Sequence, residues 1–165
     1  MHPINGATHP FFTSESRPAW FSNRISIYSS SFSVSHFTED LFVRHSVFFP
    51  PEIKSAVTKR RAEFFAGRYC AQQSLISLTG NPSVIHIGPH RNPLWPARVT
   101  GSISHTNNQA VAATALKSQV RGIGIDIQDE IDSGTYASIK TQILFGGELE
   151  LIEQYHQASM QLLMF

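Results

Sequence analysis

Apolar and polar residues alternate between positions 24 and 35, with Ile25 and Ile27 followed by Phe32 and Val34. A period of two marks half-buried strand. The serine run 29–31 inside it predicts a bulge, or a turn between two short strands. After Pro50-Pro51 the rhythm lengthens to steps of three, four and seven. Ile53, Val57, Phe64, Ala71, Leu75 and Leu78 then share one broad face, which predicts a long helix over 52–78. Pro51 suits its first turn and Gly80 its stop. The opposite face carries Lys54, Lys59, Arg60, Arg61 and Arg68.

Residues 81–98 hold a short apolar run at 84–87 and then a proline-rich loop. Gly101 predicts a turn over 101–106. The small apolar stretch 109–116 is too short for a typical helix and reads as a buried strand. A second buried strand is expected at 122–127. A loop and short helix follow over 129–142, then an amphipathic helix over 148–163. Residues 1–23 read as irregular.

Bulk composition narrows the picture. At 165 residues the chain makes one ordinary domain or two small halves sharing a core. A hydrophobic content of 41% with 12 phenylalanines supplies that core, and the 15% of charged residues argues against disorder. The net charge of +1 gives no global field, so any anion site is local. Nucleic-acid binding is not expected: the basic excess is confined to one helix and no aromatic platform interleaves it. Cys70 is the lone cysteine, which allows no intrachain disulfide and fits a reducing cytoplasm. The first twenty residues lack the apolar run of a signal peptide, and no 18-residue apolar stretch spans a membrane.

Three groups of residues carry candidate chemistry. On a helix Lys54, Arg61 and Arg68 stack on one face, with Arg60 about 80° from Arg68. Such arginines hold phosphates by charge-assisted bonds, or simply form a solvated face with Glu63 as a partner. In G-S-I-S-H-T (101–106) the hydroxyls and imidazole suit anionic oxygens, or local backbone groups in a hairpin. Ser104 and His105 are not a nucleophile–base pair, because neighbours on a strand point to opposite faces. Asp126, between Ile125 and Ile127, reads as a metal ligand or as one member of a buried ion pair. His86 and His90 have metal-ligand spacing for a helix, but Gly88 and Pro89 exclude that helix and with it a zinc site.

Taken in order, K-R-R-A-E-F-F-A-G-R-Y-C-A (59–71), H-R-N-P-L-W-P (90–96), G-S-I-S-H-T (101–106) and G-I-G-I-D-I-Q (122–128) resemble the 4′-phosphopantetheinyl transferases of the surfactin-type superfamily. Within it the likeness is to the enterobactin synthase component D group. The specific motifs cover about residues 47–128. The resemblance implies an α+β transferase fold of two pseudo-symmetric α/β halves, each a helix on a small antiparallel sheet, with the second half incomplete. It divides the chain into an N-terminal segment with strands (1–46), a first half (47–120) and the start of a second (121–165).

The resemblance also implies a reaction. The 4′-phosphopantetheine arm of coenzyme A moves to a serine of an apo peptidyl, aryl or acyl carrier protein, with magnesium, in siderophore synthesis. Arg60, Arg68, Ser104 and His105 would contact the coenzyme A phosphates, Arg91 would stand at the nucleotide, and Asp126 would bind magnesium. Gln128 stands where the family commonly has a second acid, so it becomes a weaker second candidate ligand. The family's third motif, K-E-S-x-x-K, supplies the proposed general base and further phosphate contacts. It would follow a segment like Leu162-Leu163-Met164-Phe165, which places it beyond Phe165, the last residue of the sequence. No catalytic residue is therefore assignable. A chain lacking that motif is expected to be poorly soluble or partly molten, and the alternative to an active transferase is a remnant that binds coenzyme A or carrier protein without transfer. A cytoplasmic place, in a synthase complex at the membrane, is the corresponding expectation.

Overall fold

The computed structural model describes residues 10–18 and 24–132, together with residues 134–136, 138 and 142. Four strands form its main sheet: β1 (Phe12–Ser16), β2 (Ile25–Phe32), β5 (Val99–His105) and β6 (Gln109–Leu116). Their order is β1-β2-β6-β5 and every pairing is antiparallel. Three helices lie between β2 and β5 in sequence: α1 (Asp40–Arg44), α2 (Pro51–Lys54) and α3 (Thr58–Thr79). A two-stranded ribbon, β3 (His86–Ile87) with β4 (Pro93–Leu94), precedes β5. The result is a mixed α+β fold with one long helix on an antiparallel sheet.

β6 is the central strand, and its small residues explain why. Ala110, Ala112, Ala113 and Ala115 are all buried, and the short side chains of Ala110 and Ala112, on the α3 side, let the helix lie close to the backbone. The facing side of α3 is equally small, with Ala62, Ala66, Gly67, Cys70, Ala71 and Ser74. A Cβ placed on Gly67 would sit 2.9 Å from Ile103 of β5. The polar groups caught in this seam are satisfied across it: Ser74 donates to the Ser26 carbonyl at 2.7 Å and meets Thr114 Oγ1 at 2.8 Å.

The far side of α3 is roofed by aromatics. Phe65 is fully buried among the rings of Phe11, Phe12, Phe37, Phe42, His45 and Tyr69. With the sheet on one side and this roof on the other, residues 62–68 are buried all round. Arg68 is therefore inside the fold rather than on a solvated basic face. Val57, expected on the apolar face, is 73% exposed.

Several expected elements differ. The helix over 52–78 is two helices, because Ser55 turns its hydroxyl back to the Glu52 carbonyl and Val57 takes an extended backbone that caps α3. Serine and β-branched residues compete with helix in this way. Gly80 does end α3, in the left-handed conformation at φ 75°. The serine run does not break β2: its register with β6 is continuous from Ile25↔Ala115 to Ser31↔Gln109. Ser30 faces α3 and meets the Cys70 thiol, while Ser14 of β1 donates to Ser31 on the other side. The irregularity lies instead in β1, between Phe12 and Ser14, within a stretch expected to be irregular throughout.

Residues 101–105 belong to strand β5, and the chain reverses only at 106–108. The segment 122–127 is not a paired strand. Ile125 is buried and Ile123 and Ile127 pack beside it, against Ile27, Val111 and Ala113 on the sheet face opposite α3. Residues 134–136 are helical. The helix expected at 148–163 lies outside the described residues. So does Phe165, the residue past which the resemblance places the third motif.

Burial fixes how this fold responds to alkali. It pushes the Cys70 thiol up from 9.0 to about 12. Burial, reinforced by the Glu15 carboxylate that accepts from both hydroxyls, also raises Tyr28 and Tyr69. A raised folded-state value means the unfolded chain loses its proton first. Stability is then complete below pH 9 and falls as pH rises, by about 1.4 kcal/mol per pH unit for each such group. Urea unfolding between pH 8 and 10.5 should show this decline, and Cys70→Ala should flatten its first part. An unchanged slope in that variant would contradict the assignment.

Candidate functional site

Arg60 lies in the first turn of α3 and His105 ends β5, so packing the helix across the sheet brings them together. Arg60 NH1 is 3.2 Å from His105 Nε2. A guanidinium can only donate, so Nε2 is the acceptor and the ring proton sits on Nδ1. The remaining guanidinium N–H groups and Nδ1–H are left as donors for an anion at this corner.

Arg68 lies two turns further along α3 and is 6% exposed. Its guanidinium stacks on Phe64 at 5.1 Å, yet NH1 has no hydrogen-bond partner. Burial, and then the charge of Arg60, lowers it from 12.5 to about 10. One turn on, Gln72 also leaves a buried oxygen, Oε1, without a partner. Both line a shallow depression with Ser46, Phe48, Ser83 and Val84. Orphaned polar groups beside an opening have the form of a site made for a polar ligand. Gln72 was missed by sequence reasoning; its spacing of four from Arg68 was the available signal.

Arg91 occupies the tip of the β3–β4 ribbon with φ 61°. The tip is fixed by the Arg91 N–H to the Gly88 carbonyl at 3.0 Å and the Gly88 N–H to the Asn92 carbonyl at 2.8 Å. Trp95, just after β4, lies against β5: a Cβ on Gly101 would meet its ring at 2.7 Å. This close approach is what Gly101 supplies, in place of the expected turn. The His86 ring meets the Phe48 ring at 4.5 Å, tilted by 60°.

Ser104 points to the other face of β5. Its hydroxyl donates to Asp126 Oδ1 at 2.5 Å and accepts from the Ile127 N–H at 3.2 Å. Asp126 is exposed, not buried between its isoleucine neighbours. Because Ile123, Ile125 and Ile127 face the sheet, Asp126 and the exposed Gln128 stand on the outward side of the segment. Asn107 reaches Asp129 at 3.4 Å nearby. A carboxylate and an amide oxygen are hard donors of the kind magnesium takes. Among the described residues no cluster of three histidine, cysteine or acidic side chains forms, so a cation here would keep open positions for ligand oxygens. Neither Arg91 nor Gln128 is hydrogen-bonded to the other candidate residues among those described.

Residues 49–115, from just before α2 into the last residues of β6, match the 4′-phosphopantetheinyl transferase N-terminal domain. Enterobactin synthase component D of Salmonella typhimurium is 34% identical over 120 residues, which cover 71% of this chain and 49% of that protein. The 4′-phosphopantetheinyl transferase Npt of Nocardia iowensis is 40% identical over 76 residues, covering 46% and 34%. The 4′-phosphopantetheinyl transferase PptT of Mycobacterium tuberculosis is 34% identical over 91 residues, covering 54% and 40%. By these likenesses the chain is similar to the 4′-phosphopantetheinyl transferases, and its residues 49–115 to their N-terminal domain. It spans between about a third and a half of the length of these relatives. The matched part of the chain contains Arg60, Arg68, Arg91, Ser104 and His105, and ends before Asp126. No helix among the described residues is long and apolar enough to cross a membrane.

Proposed function

We propose that this chain takes part in moving the 4′-phosphopantetheine arm of coenzyme A onto a serine of an apo carrier protein. The observation that carries this reading is the Arg60–His105 contact. It joins residues 45 apart in sequence into one corner with donors to spare, and the unpartnered guanidinium of Arg68 lies two turns along the same helix. Arg60, Arg68 and His105 are the phosphate-binding residues of this reading. Arg91 meets the nucleotide from the ribbon tip, and Ser104 stands at the same strand end.

In the reaction the carrier serine oxygen bonds to the β-phosphorus of coenzyme A. The bond from that phosphorus to the bridging oxygen breaks, 3′,5′-ADP leaves, and the serine proton passes to a base. No described side chain is assigned as that base, whose motif the resemblance places past Phe165. Asp126, with Gln128 beside it, would hold magnesium, which when bound neutralises the pyrophosphate charge. Positioning and charge neutralisation are what such a transfer asks of a protein. The relative named enterobactin synthase component D supports a carrier protein of siderophore synthesis as the acceptor. We place the protein in the cytoplasm, in contact with a synthase complex, and infer two pseudo-symmetric halves for the complete fold.

Titration calorimetry with 3′,5′-ADP tests the corner. Wild-type chain should bind, and His105→Ala should bind about tenfold more weakly, the usual loss for one hydrogen bond to a charged group. No binding by the wild type, or equal affinity in the variant, would overturn the reading.

A further inference from the structure

We infer that Ser104 is a positioning residue for Asp126 and not a phosphate contact, an inference that rests on the magnesium reading above. The hydroxyl of Ser104 has one proton, and that proton goes to Asp126 Oδ1 at 2.5 Å. One of its lone pairs takes the Ile127 N–H at 3.2 Å. Both ends of the hydroxyl are thus spent on residues 126 and 127. His105 points to the opposite face of β5, where it meets Arg60. A phosphate held at the Arg60–His105 corner therefore lies across the strand from the Ser104 oxygen.

The need for such a residue follows from the fold. Residues 122–132 make no ladder with the sheet, and the isoleucine contacts fix only the inward side of the segment. Asp126 is exposed, so its carboxylate would otherwise sample several rotamers. A donor on the rigid end of β5 holds Oδ1 and leaves Oδ2 to meet a cation. A neutral O–H donor does this without removing the negative charge that the cation needs. Hydrogen bonds that orient a ligating carboxylate commonly strengthen metal binding by about ten- to a hundredfold, because the ordering cost is met before the metal arrives.

The test uses the full 165-residue chain and manganese as the probe, with free Mn2+ counted by electron paramagnetic resonance and no nucleotide present. Ser104→Val and Ser104→Thr have the same shape and differ in the hydroxyl. Ser104→Val should weaken Mn2+ binding by about tenfold, and Ser104→Thr should restore it. Affinity for 3′,5′-ADP in excess chelator should be the same in both. Equal Mn2+ affinity of the Val and Thr variants, with Asp126→Asn defective, would overturn the positioning role alone. So would a loss of 3′,5′-ADP affinity confined to Ser104→Val. Wild-type Mn2+ affinity in Asp126→Asn, or no binding by the wild type, would instead overturn the metal assignment and this inference with it.

Discussion

Arg68→Met is expected to raise the stability of the chain and to cut its affinity for 3′,5′-ADP. Arg68 is buried, carries an unpartnered NH1, and has Arg60 as an unfavourable neighbour. Replacing a buried charge by an apolar side chain of similar length commonly stabilises by about 1–4 kcal/mol. The aliphatic stem keeps its place in the core and the Phe64 ring keeps a neighbour. For a chain of this size each kcal/mol moves the melting temperature by about 2–4 °C. The lost charge-assisted bond should weaken 3′,5′-ADP binding by about 1.5–3 kcal/mol, roughly ten- to a hundredfold and more. A melt and a titration on the same preparation decide the matter. Lower stability with unchanged affinity would mean that Arg68 is structural. The expected pattern would mark it as a group kept at a cost to the fold for the sake of a ligand.

Phe65→Ala is expected to give the largest loss of stability, about 3–5 kcal/mol. Its ring is fully buried, and six other rings stand around it. These come from β1, α1, α3 and the loops between them, so the hole cannot be closed by one side chain moving. Against a total stability of about 5–15 kcal/mol, the variant should be partly unfolded at 37 °C. Phe65→Leu leaves a smaller void and should fall between the two. A urea midpoint within error of wild type for Phe65→Ala would show that the aromatic roof does not hold α3 on the sheet.

The two variants act on adjacent parts of one helix in opposite directions. The reason is visible in α3, where the buried stretch 62–68 combines core packing with a functional guanidinium. Periodicity alone could not separate them. A solvated face was one of the two readings that it left for Arg68, because the roof that removes the polar side comes from phenylalanines 23 to 54 positions before Phe65.

Much of the fold was legible from local signals. β2 and β6 follow from their patterns, Gly80 stops α3, and the four motifs carry the family resemblance. Non-local effects account for the misses. β5 was read as a turn because Gly101 has two uses, and here it makes room for Trp95 instead of reversing the chain. The segment 122–127 has strand composition, but its isoleucines pack on the sheet face opposite α3, and a composition shared by paired strand and face-covering segment cannot tell the two apart.

By itself the sequence determined which chemistry is present: the arginines, the serine–histidine strand end and the Asp126–Gln128 pair, in an order that resembles one family. Only the tertiary structure decided how they group. Packing α3 across β5 puts Arg60 on His105, and the alternation of β5 sends the neighbouring Ser104 to the opposite face, onto Asp126. Side-chain direction on a strand is set by its pairing, and pairing joins residues far apart in the chain, so no local pattern could contain it.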